Sequence, residues 1–389
     1  MVEIYLDNSA TTKICEEALE RYREVSLSEY GNPSSLHALG FQGEKILKDA
    51  RRELLSSLGA VGSTAVFTAS GSEANNLAII GRALSKERFK SKKIITTDGE
   101  HASVGEPLSR LADMGFRIVK ISTRGGSLDM DMLKEEMTPD VILVTMMMVN
   151  NETGALYDIG SVSKLMRLKS PEAVLHVDAT QSYMKLPFSK ASLGADMITV
   201  SSHKIEGPKG VGALVVDEKL IKSRGLSPLI LGGGQEGGLR SGTENVPGVA
   251  AFAEAIKIGK ATLKERCAGI NSLRDYLIEK LNTAPGLSEI KLTLPERHAP
   301  HILNITLPNI KSETMLHHLS SHGIYVSSGS ACSSNSRHVS SALIAYGHTE
   351  DEADSSLRIS LSQRNTKEEI DALLKVLSEG LTKLARTKK

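Results

Sequence analysis

Short apolar segments alternate with amphipathic segments through the first 250 residues, and this alternation limits the possible folds more than any other feature of the chain. The strand-like segments are residues 64–69, 93–97, 117–122, 141–147, 173–179, 196–202 and 211–216. Several are continuous apolar runs, which is typical of strands covered on both faces. Helical patterns lie between them, so the sequence predicts an α/β fold with a mostly parallel, seven-stranded sheet wrapped by helices.

The pattern changes after about residue 250. The later segments are a long helix at 249–281, strands at 301–308, 323–328 and 356–362, and a helix at 365–385. A chain of 389 residues is long enough for two or three domains of about 150 residues each. We therefore expect a large domain over residues 14–260 and a smaller α+β domain formed by residues 1–13 and 261–389.

Charge and cysteine content exclude several classes of protein. The chain has 47 basic and 46 acidic side chains, a formal net charge of +1, and so lacks the basic excess of a nucleic-acid-binding protein. Cys15, Cys267 and Cys332 are odd in number and widely spaced, which excludes a disulfide framework and a four-thiolate zinc site. Apolar segments are shorter than the roughly 20 residues that span a membrane, and no signal peptide is recognisable. We expect a cytoplasmic protein without membrane or direct nucleic-acid partners.

Two neighbouring strand-like segments end in reactive groups. Asp178 ends one of them, with Gln181 just beyond it, and His203 and Lys204 follow the next. Ligands of open α/β sheets bind beyond the carboxyl ends of the strands, so we expect these side chains in one crevice. A lysine and a carboxylate suit pyridoxal 5′-phosphate (PLP), which needs a lysine for its aldehyde and an acid for its ring nitrogen. From spacing alone, a surface ion pair explains the residues equally well.

The segment ASGSEANN, residues 69–76, follows a strand and opens a helix. Gly71 and Ser72 therefore lie where backbone N–H groups and the helix dipole favour a phosphate. Ser201 and His203 could add donors from the next loop. A simple serine N-cap explains the same pattern at least as well.

Three further side chains have two interpretations each. His101 follows a strand and either stacks on a cofactor ring and moves protons or has a structural role. Arg358 is either a fork for a substrate carboxylate or a solvent-facing residue of an edge strand, and the local pattern favours the second. Cys332 lies in residues 326–337, of which eight are glycine, serine or alanine. That composition indicates a mobile, exposed segment, which suits a nucleophile that must travel better than a buried thiol.

Two other clusters are not interpreted as sites. The G-x-G-x-x-G pattern is satisfied by Gly232, Gly234 and Gly237. A dinucleotide fingerprint lies in an early turn between a strand and a helix, and has an acidic residue about 20 residues later at the end of the next strand. These glycines lie late in the chain, and a long helix follows them where that next strand is required. The five histidines between residues 298 and 322 have no second ligand cluster at metal-binding spacing. We therefore predict neither a nicotinamide cofactor nor a metal site.

Taken together, the motifs resemble those of the cysteine desulfurases, which are PLP enzymes of fold type I in the class-V aminotransferase family. In chain order they are LDNSATT, YGNPSSLH, FTASGSEANNLAI, EHASV, VNNETG, HVDATQS, SSHKIEGPKGVGAL, GGGQEGGLRSGTENVPG, SSGSACSS and SSLRISL. This set covers almost the whole chain. The segment around Cys332 is similar to the long loop of the housekeeping and nitrogen-fixation branch.

The resemblance implies a role in cofactor binding for each matching residue. Lys204 would form the Schiff base with PLP, Asp178 would pair with its ring nitrogen, and Gln181 would bind its phenolic oxygen. His101 would stack on the ring and assist proton transfer. Residues at the phosphate would be Gly71, Ser72, Ser201, His203 and, from the neighbouring subunit of a homodimer, Thr243.

The same resemblance implies the reaction. Asn151, which also contacts the cofactor, and Arg358 would bind the carboxylate of L-cysteine. Cys332 would take the substrate sulfur as a persulfide, with release of L-alanine, and pass it to an acceptor protein in iron–sulfur cluster assembly or tRNA thiolation. The alternatives are a selenocysteine lyase or another PLP lyase on this scaffold, and a non-catalytic sulfur carrier. Glu206 departs from the family, which usually has an aromatic residue or histidine there, and is expected to alter the pocket wall.

Overall fold

The computed structural model describes residues 3–85, 91–328 and 339–384. Its strands are β1 Ile4–Tyr5, β2 Ser63–Thr68, β3 Lys93–Thr97, β4 Arg117–Ile121, β5 Val141–Met147, β6 Val174–Asp178, β7 Met197–Ser201, β8 Gly212–Asp217, β9 Lys291–Thr293, β10 Ile302–Thr306, β11 Ile324–Tyr325, β12 Ser327–Ser328 and β13 Ser356–Ser360. Its α-helices are α1 Glu16–Ser28, α2 Ala38–Ser57, α3 Gly71–Ala83, α4 Ala102–Asp113, α5 Met130–Glu136, α6 Ile159–Lys169, α7 Lys190–Leu193, α8 Glu218–Lys222, α9 Val246–Thr283, α10 Ser312–Ser321, α11 Ser341–Tyr346, α12 Glu350–Asp354 and α13 Lys367–Leu384.

Seven strands form one sheet in the order β2-β8-β7-β6-β5-β3-β4. Strands β3 to β7 pair in parallel, whereas β8 pairs antiparallel with both β2 and β7. This confirms the predicted α/β fold with a mostly parallel seven-stranded sheet. Each of the seven strands begins and ends within one residue of the predicted segment.

The central strands are apolar because helices cover both faces of the sheet. All seven residues of β5 are buried, and successive side chains point to opposite faces. Val144 and Met146 contribute to an apolar cluster with α2 and the first half of α9, and Leu143, which points to the opposite face, contributes to a second cluster with α3 and α4. Burial on both faces therefore explains the continuous apolar runs in the sequence.

A second, antiparallel sheet has the order β12-β13-β10-β9 and packs with α10, α13 and the second half of α9 around its own apolar cluster. The single strand predicted at 323–328 is two short strands in different sheets, because β11 pairs in parallel with the N-terminal β1 while β12 pairs with β13. Helix α9 runs without a break through residue 260 and contributes Phe252 to the first core and Leu277 to the second. The domain division at residue 260 therefore remains a prediction.

No helix among the described residues is long and apolar enough to cross a membrane.

Replacing Leu277 with alanine tests whether the second half of α9 holds the smaller core together. Leu277 is fully buried, and we expect Leu277→Ala to lower the free energy of unfolding in urea by about 2–5 kcal/mol, because a cavity replaces the lost side chain. Leu168, which is 81% exposed on α6, provides the matched control. Leu168→Ala should change stability by no more than about 0.5 kcal/mol. Equal losses in both variants would contradict the packing described here.

Candidate active site

Asp178 is the last residue of β6, and its buried carboxylate is held by two donors. Oδ2 accepts a hydrogen bond of 2.8 Å from the Asn75 side chain, and Oδ1 accepts one of 2.9 Å from the Thr180 backbone N–H. Asn75 lies in α3, one helical turn after Gly71. The sequence analysis did not identify Asn75, although its spacing of four residues from the glycine places both on the same face of the helix.

Lys204 ends a short 3-10 turn, Ser202–Lys204, that directly follows β7. Its ammonium donates to the backbone carbonyl of Ser9 at 2.5 Å and to that of Ala10 at 2.7 Å. The side-chain amide of Gln181 donates to the same Ser9 carbonyl at 2.9 Å. The predicted lysine and glutamine are thus brought together, and the N-terminal segment joins them.

The start of α3 provides a small cradle beside Ser201. Ser70 is the N-cap and accepts a hydrogen bond from the Glu73 N–H, which confirms the capping interpretation. A Cβ on Gly71 would lie only 3.2 Å from the Ser201 Cβ. The Ser201 hydroxyl is buried and makes no hydrogen bond to any described residue. A buried hydroxyl without a partner at a helix N-terminus fits a phosphate oxygen, so these residues fit PLP.

His203 lies at the edge of this cradle, with Nδ1 3.1 Å from the hydroxyl of Thr11. Burial, reinforced by the nearby charge of Lys204, lowers the pKa of His203 to about 4. The ring is therefore neutral near pH 7. It can donate from one nitrogen only.

His101 is the N-cap of α4. Nδ1 accepts from the Ser103 N–H at 3.1 Å, which leaves the ring proton on Nε2. The Ser103 hydroxyl lies 2.8 Å from His101 Nδ1 and accepts from Asn75 at 2.9 Å, so a chain of hydrogen bonds links His101 through Asn75 to Asp178. Desolvation lowers the pKa of His101, Asp178 opposes this shift, and Lys204 adds to it.

Arg358 is buried in β13, and the interpretation of a solvent-facing edge residue is wrong. Strand β13 has β10 on one side and β12 on the other, so Arg358 lies within the sheet. Its guanidinium donates to Asp7 Oδ1 at 2.9 Å and to the backbone carbonyl of Asn151 at 3.0 Å. Nε is buried and makes no hydrogen bond to a described residue. The Arg358 guanidinium is thus oriented beside Asn151, where a carboxylate could accept a hydrogen bond from Nε.

Two further predicted residues are not part of the site as the described residues form it. Thr243 is exposed in the segment before α9, and no hydrogen bond joins it to the described residues of the site. Cys332 lies outside the described residues. Gly232, Gly234 and Gly237 belong to a turn that Glu236 anchors to β2, because its carboxylate accepts from the Phe67 N–H at 3.0 Å.

The chain matches the aminotransferase class-V family over residues 4–373. It is 36% identical over 382 residues to cysteine desulfurase IscS 1 of Archaeoglobus fulgidus, with 98% of this chain and 97% of the relative covered. It is 38% identical over 380 residues to a NifS/IcsS protein homolog of Lactobacillus delbrueckii subsp. bulgaricus, with 97% of this chain and 96% of the relative covered.

Solved structures show the same similarity. A NifS-like protein aligns with a TM-score of 0.89 and 34% identity, covering 98% of this chain and all of the other. A structure of SspA in complex with cysteine aligns with a TM-score of 0.79 and 29% identity, covering 94% of this chain and all of the other. Sequence, fold and site geometry therefore agree, and the chain belongs to the class-V aminotransferase family of PLP-dependent enzymes, within the group of the IscS and NifS cysteine desulfurases.

Proposed function

We propose that this protein converts L-cysteine to L-alanine and keeps the sulfur as a persulfide on Cys332. The observation that carries the proposal is the convergence of Lys204, Asp178 and Arg358. Two of these lie at the carboxyl ends of parallel strands, and the N-terminal segment contacts both Lys204 and Arg358. The SspA structure with bound cysteine supports an amino-acid substrate of this kind.

When bound, PLP supplies a ring that withdraws electrons from the substrate α-carbon. Lys204 would hold the cofactor covalently, and the Ser9 and Ala10 carbonyls orient its amine. The Asp178 carboxylate would accept a hydrogen bond from the protonated ring nitrogen. The hydrogen bond from Asn75 fixes one oxygen of that carboxylate, so the acid is oriented before the cofactor binds.

Gly71, Ser72 and Ser201 would surround the phosphate. The first two would offer backbone N–H groups of the first turn of α3, and Ser201 would offer the hydroxyl that has no other partner. His203, at the edge of the cradle, would add a ring N–H. The remaining attraction for the phosphate dianion would come from the helix dipole and, across a homodimer interface, from Thr243.

The substrate carboxylate would bind to Arg358 beside Asn151. Asp7 accepts a hydrogen bond from Nη2 of the guanidinium, and Nε is left to donate to the substrate. Gln181 would bind the phenolic oxygen of the cofactor. His101 Nε2 carries the proton that the site can deliver to the substrate or product.

Sulfur transfer needs no external oxidant. The Cys332 sulfur forms a bond to the substrate sulfur while the carbon–sulfur bond of L-cysteine breaks, and the electron pair goes to the carbon. That carbon is reduced and takes a proton to become the methyl group of L-alanine, while the sulfur is oxidised to the persulfide level.

The setting of the reaction is also part of the proposal. We expect a cytoplasmic homodimer that passes persulfide sulfur to an acceptor protein of iron–sulfur cluster assembly or tRNA thiolation. The relatives named IscS and NifS support the first acceptor. They do not favour a selenocysteine lyase.

Replacing Cys332 separates the cofactor site from the sulfur-accepting group. Purified protein should be yellow and should release L-alanine from L-cysteine. Cys332→Ala should keep the colour, because Lys204 is intact, and should lose persulfide formation and most alanine release, both measured by mass spectrometry. Cys267→Ala is the control and should retain activity. It removes a thiol that donates a hydrogen bond to the Lys185 backbone carbonyl. Normal sulfur release from Cys332→Ala would exclude Cys332 as the nucleophile.

Replacing Gly212 tests the phosphate cradle without altering any group that would touch the phosphate. A Cβ at Gly212 would lie 2.4 Å from the Ser70 carbonyl carbon, so Gly212→Ala must displace the turn that opens α3. We expect the dissociation constant of PLP, measured by absorbance titration, to rise by about tenfold or more, which corresponds to ~1.4 kcal/mol. Gly105→Ala in α4 meets no atom within 4 Å and should leave PLP affinity unchanged. Unchanged affinity in both variants would place the phosphate elsewhere.

A further inference from the structure

Glu206 lies two residues after Lys204 and carries a buried carboxylate with three partners. Oε1 accepts from the Gln363 side chain at 2.7 Å and from Arg364 Nε at 3.0 Å. Oε2 accepts from Arg266 Nη2 at 3.2 Å. The Glu206 side chain is only 8% exposed, so these are not the weak contacts of a surface ion pair.

The three partners come from parts of the chain that are distant in sequence. Gln363 and Arg364 belong to the turn that follows β13, the strand of Arg358, while Arg266 lies in α9. The carboxylate therefore ties the turn that carries Lys204 directly to the turn that leads out of the Arg358 strand.

The backbone of Glu206 makes a second set of contacts, to the N-terminal segment. Its N–H donates to the Thr12 hydroxyl at 2.7 Å, and its carbonyl accepts from the Cys15 N–H at 2.9 Å. That segment also provides the Ser9 and Ala10 carbonyls that orient Lys204. Glu206 has a φ of +65°, a left-handed conformation that non-glycine residues rarely adopt. A residue held there by its surroundings indicates a constraint on the local geometry.

We propose that Glu206 is a positioning residue that sets the separation between Lys204 and Arg358, and thereby the affinity for the carboxylate of the substrate. Lys204 would hold one end of the bound amino acid through the cofactor, and Arg358 would hold the other. Lys204 ends the turn before Glu206, and Arg358 lies in β13, whose following turn is bound by the Glu206 carboxylate. The inference rests on the proposed function for the identity of the substrate.

Glu206→Gln removes the charge that Arg266 and Arg364 share while keeping nearly the same side-chain volume. The dissociation constant of L-alanine, measured from the change in cofactor absorbance, should rise by about tenfold, because the turn that carries Lys204 is no longer held to the turn after β13 by a charged carboxylate. The KM for L-cysteine should rise by a similar factor, with a much smaller change in kcat, because the reacting groups are intact.

Glu136→Gln provides the matched control, since Glu136 forms an ion pair with the buried Lys93 at the opposite end of the strands. It should lose stability without weakening L-alanine binding. Because Glu206→Gln leaves Arg266, whose side chain is 13% exposed, without a counter-charge, it has a greater risk of misfolding. Arg364→Gln is the milder second variant, because Arg364 is 46% exposed, and it should weaken L-alanine binding about threefold.

Wild-type affinity for L-alanine in folded, PLP-loaded Glu206→Gln or Arg364→Gln would overturn the inference. L-alanine binding by the wild type without turnover of L-cysteine would instead contradict the proposed function, and the Glu206 variants would still be informative. A loss of affinity in Glu136→Gln equal to that in Glu206→Gln would show that general destabilisation is responsible, and would also overturn the inference.

Discussion

The parallel pairing of β5, β6 and β7 is the constraint on which the site depends. Asp178 lies opposite Met147 on one side and Thr199 on the other, so the ends of these strands are level at one edge of the sheet. The polypeptide turns there, and Lys204 follows β7 by three residues. The antiparallel β8 then returns beside β7 and pairs Gly212 with Ser201, which brings the start of α3 close to that serine.

The N-terminal segment completes the site by joining the two sheets. The Ser9 N–H donates to the Ser360 hydroxyl at the end of β13, while the Ser9 carbonyl accepts from both Lys204 and Gln181. Asp7 pairs with Arg358 at 2.9 Å. Residues from the beginning, middle and end of the chain therefore meet in one place. An amino acid and a cofactor could be held there between two separately packed cores.

The sequence is informative where the local hydrophobic pattern and the residue types determine the structure. Buried parallel strands read as apolar runs, and reactive residues at their carboxyl ends were located from that pattern alone. Asn75 was missed because its role depends on which residue the inner face of α3 meets. The local pattern wrongly favours a solvent-facing edge position for Arg358. Whether a strand lies at an edge depends on the order of strands in the sheet, and that order is set by pairing between distant segments. The side-chain partners of Glu206 are likewise not evident from the sequence, since they lie 60, 157 and 158 residues away.

A second lysine, Lys185, lies near Lys204 and contacts Gln181. The Lys185 side chain donates to the side-chain oxygen Oε1 of Gln181 at 3.1 Å, and burial together with the charge of Lys204 holds the pKa of Lys185 well below its usual range. The most direct measurement is borohydride reduction of the PLP-loaded protein, followed by mass spectrometry of its peptides. We predict that the reduced cofactor is attached to Lys204. Attachment to Lys185 would contradict it.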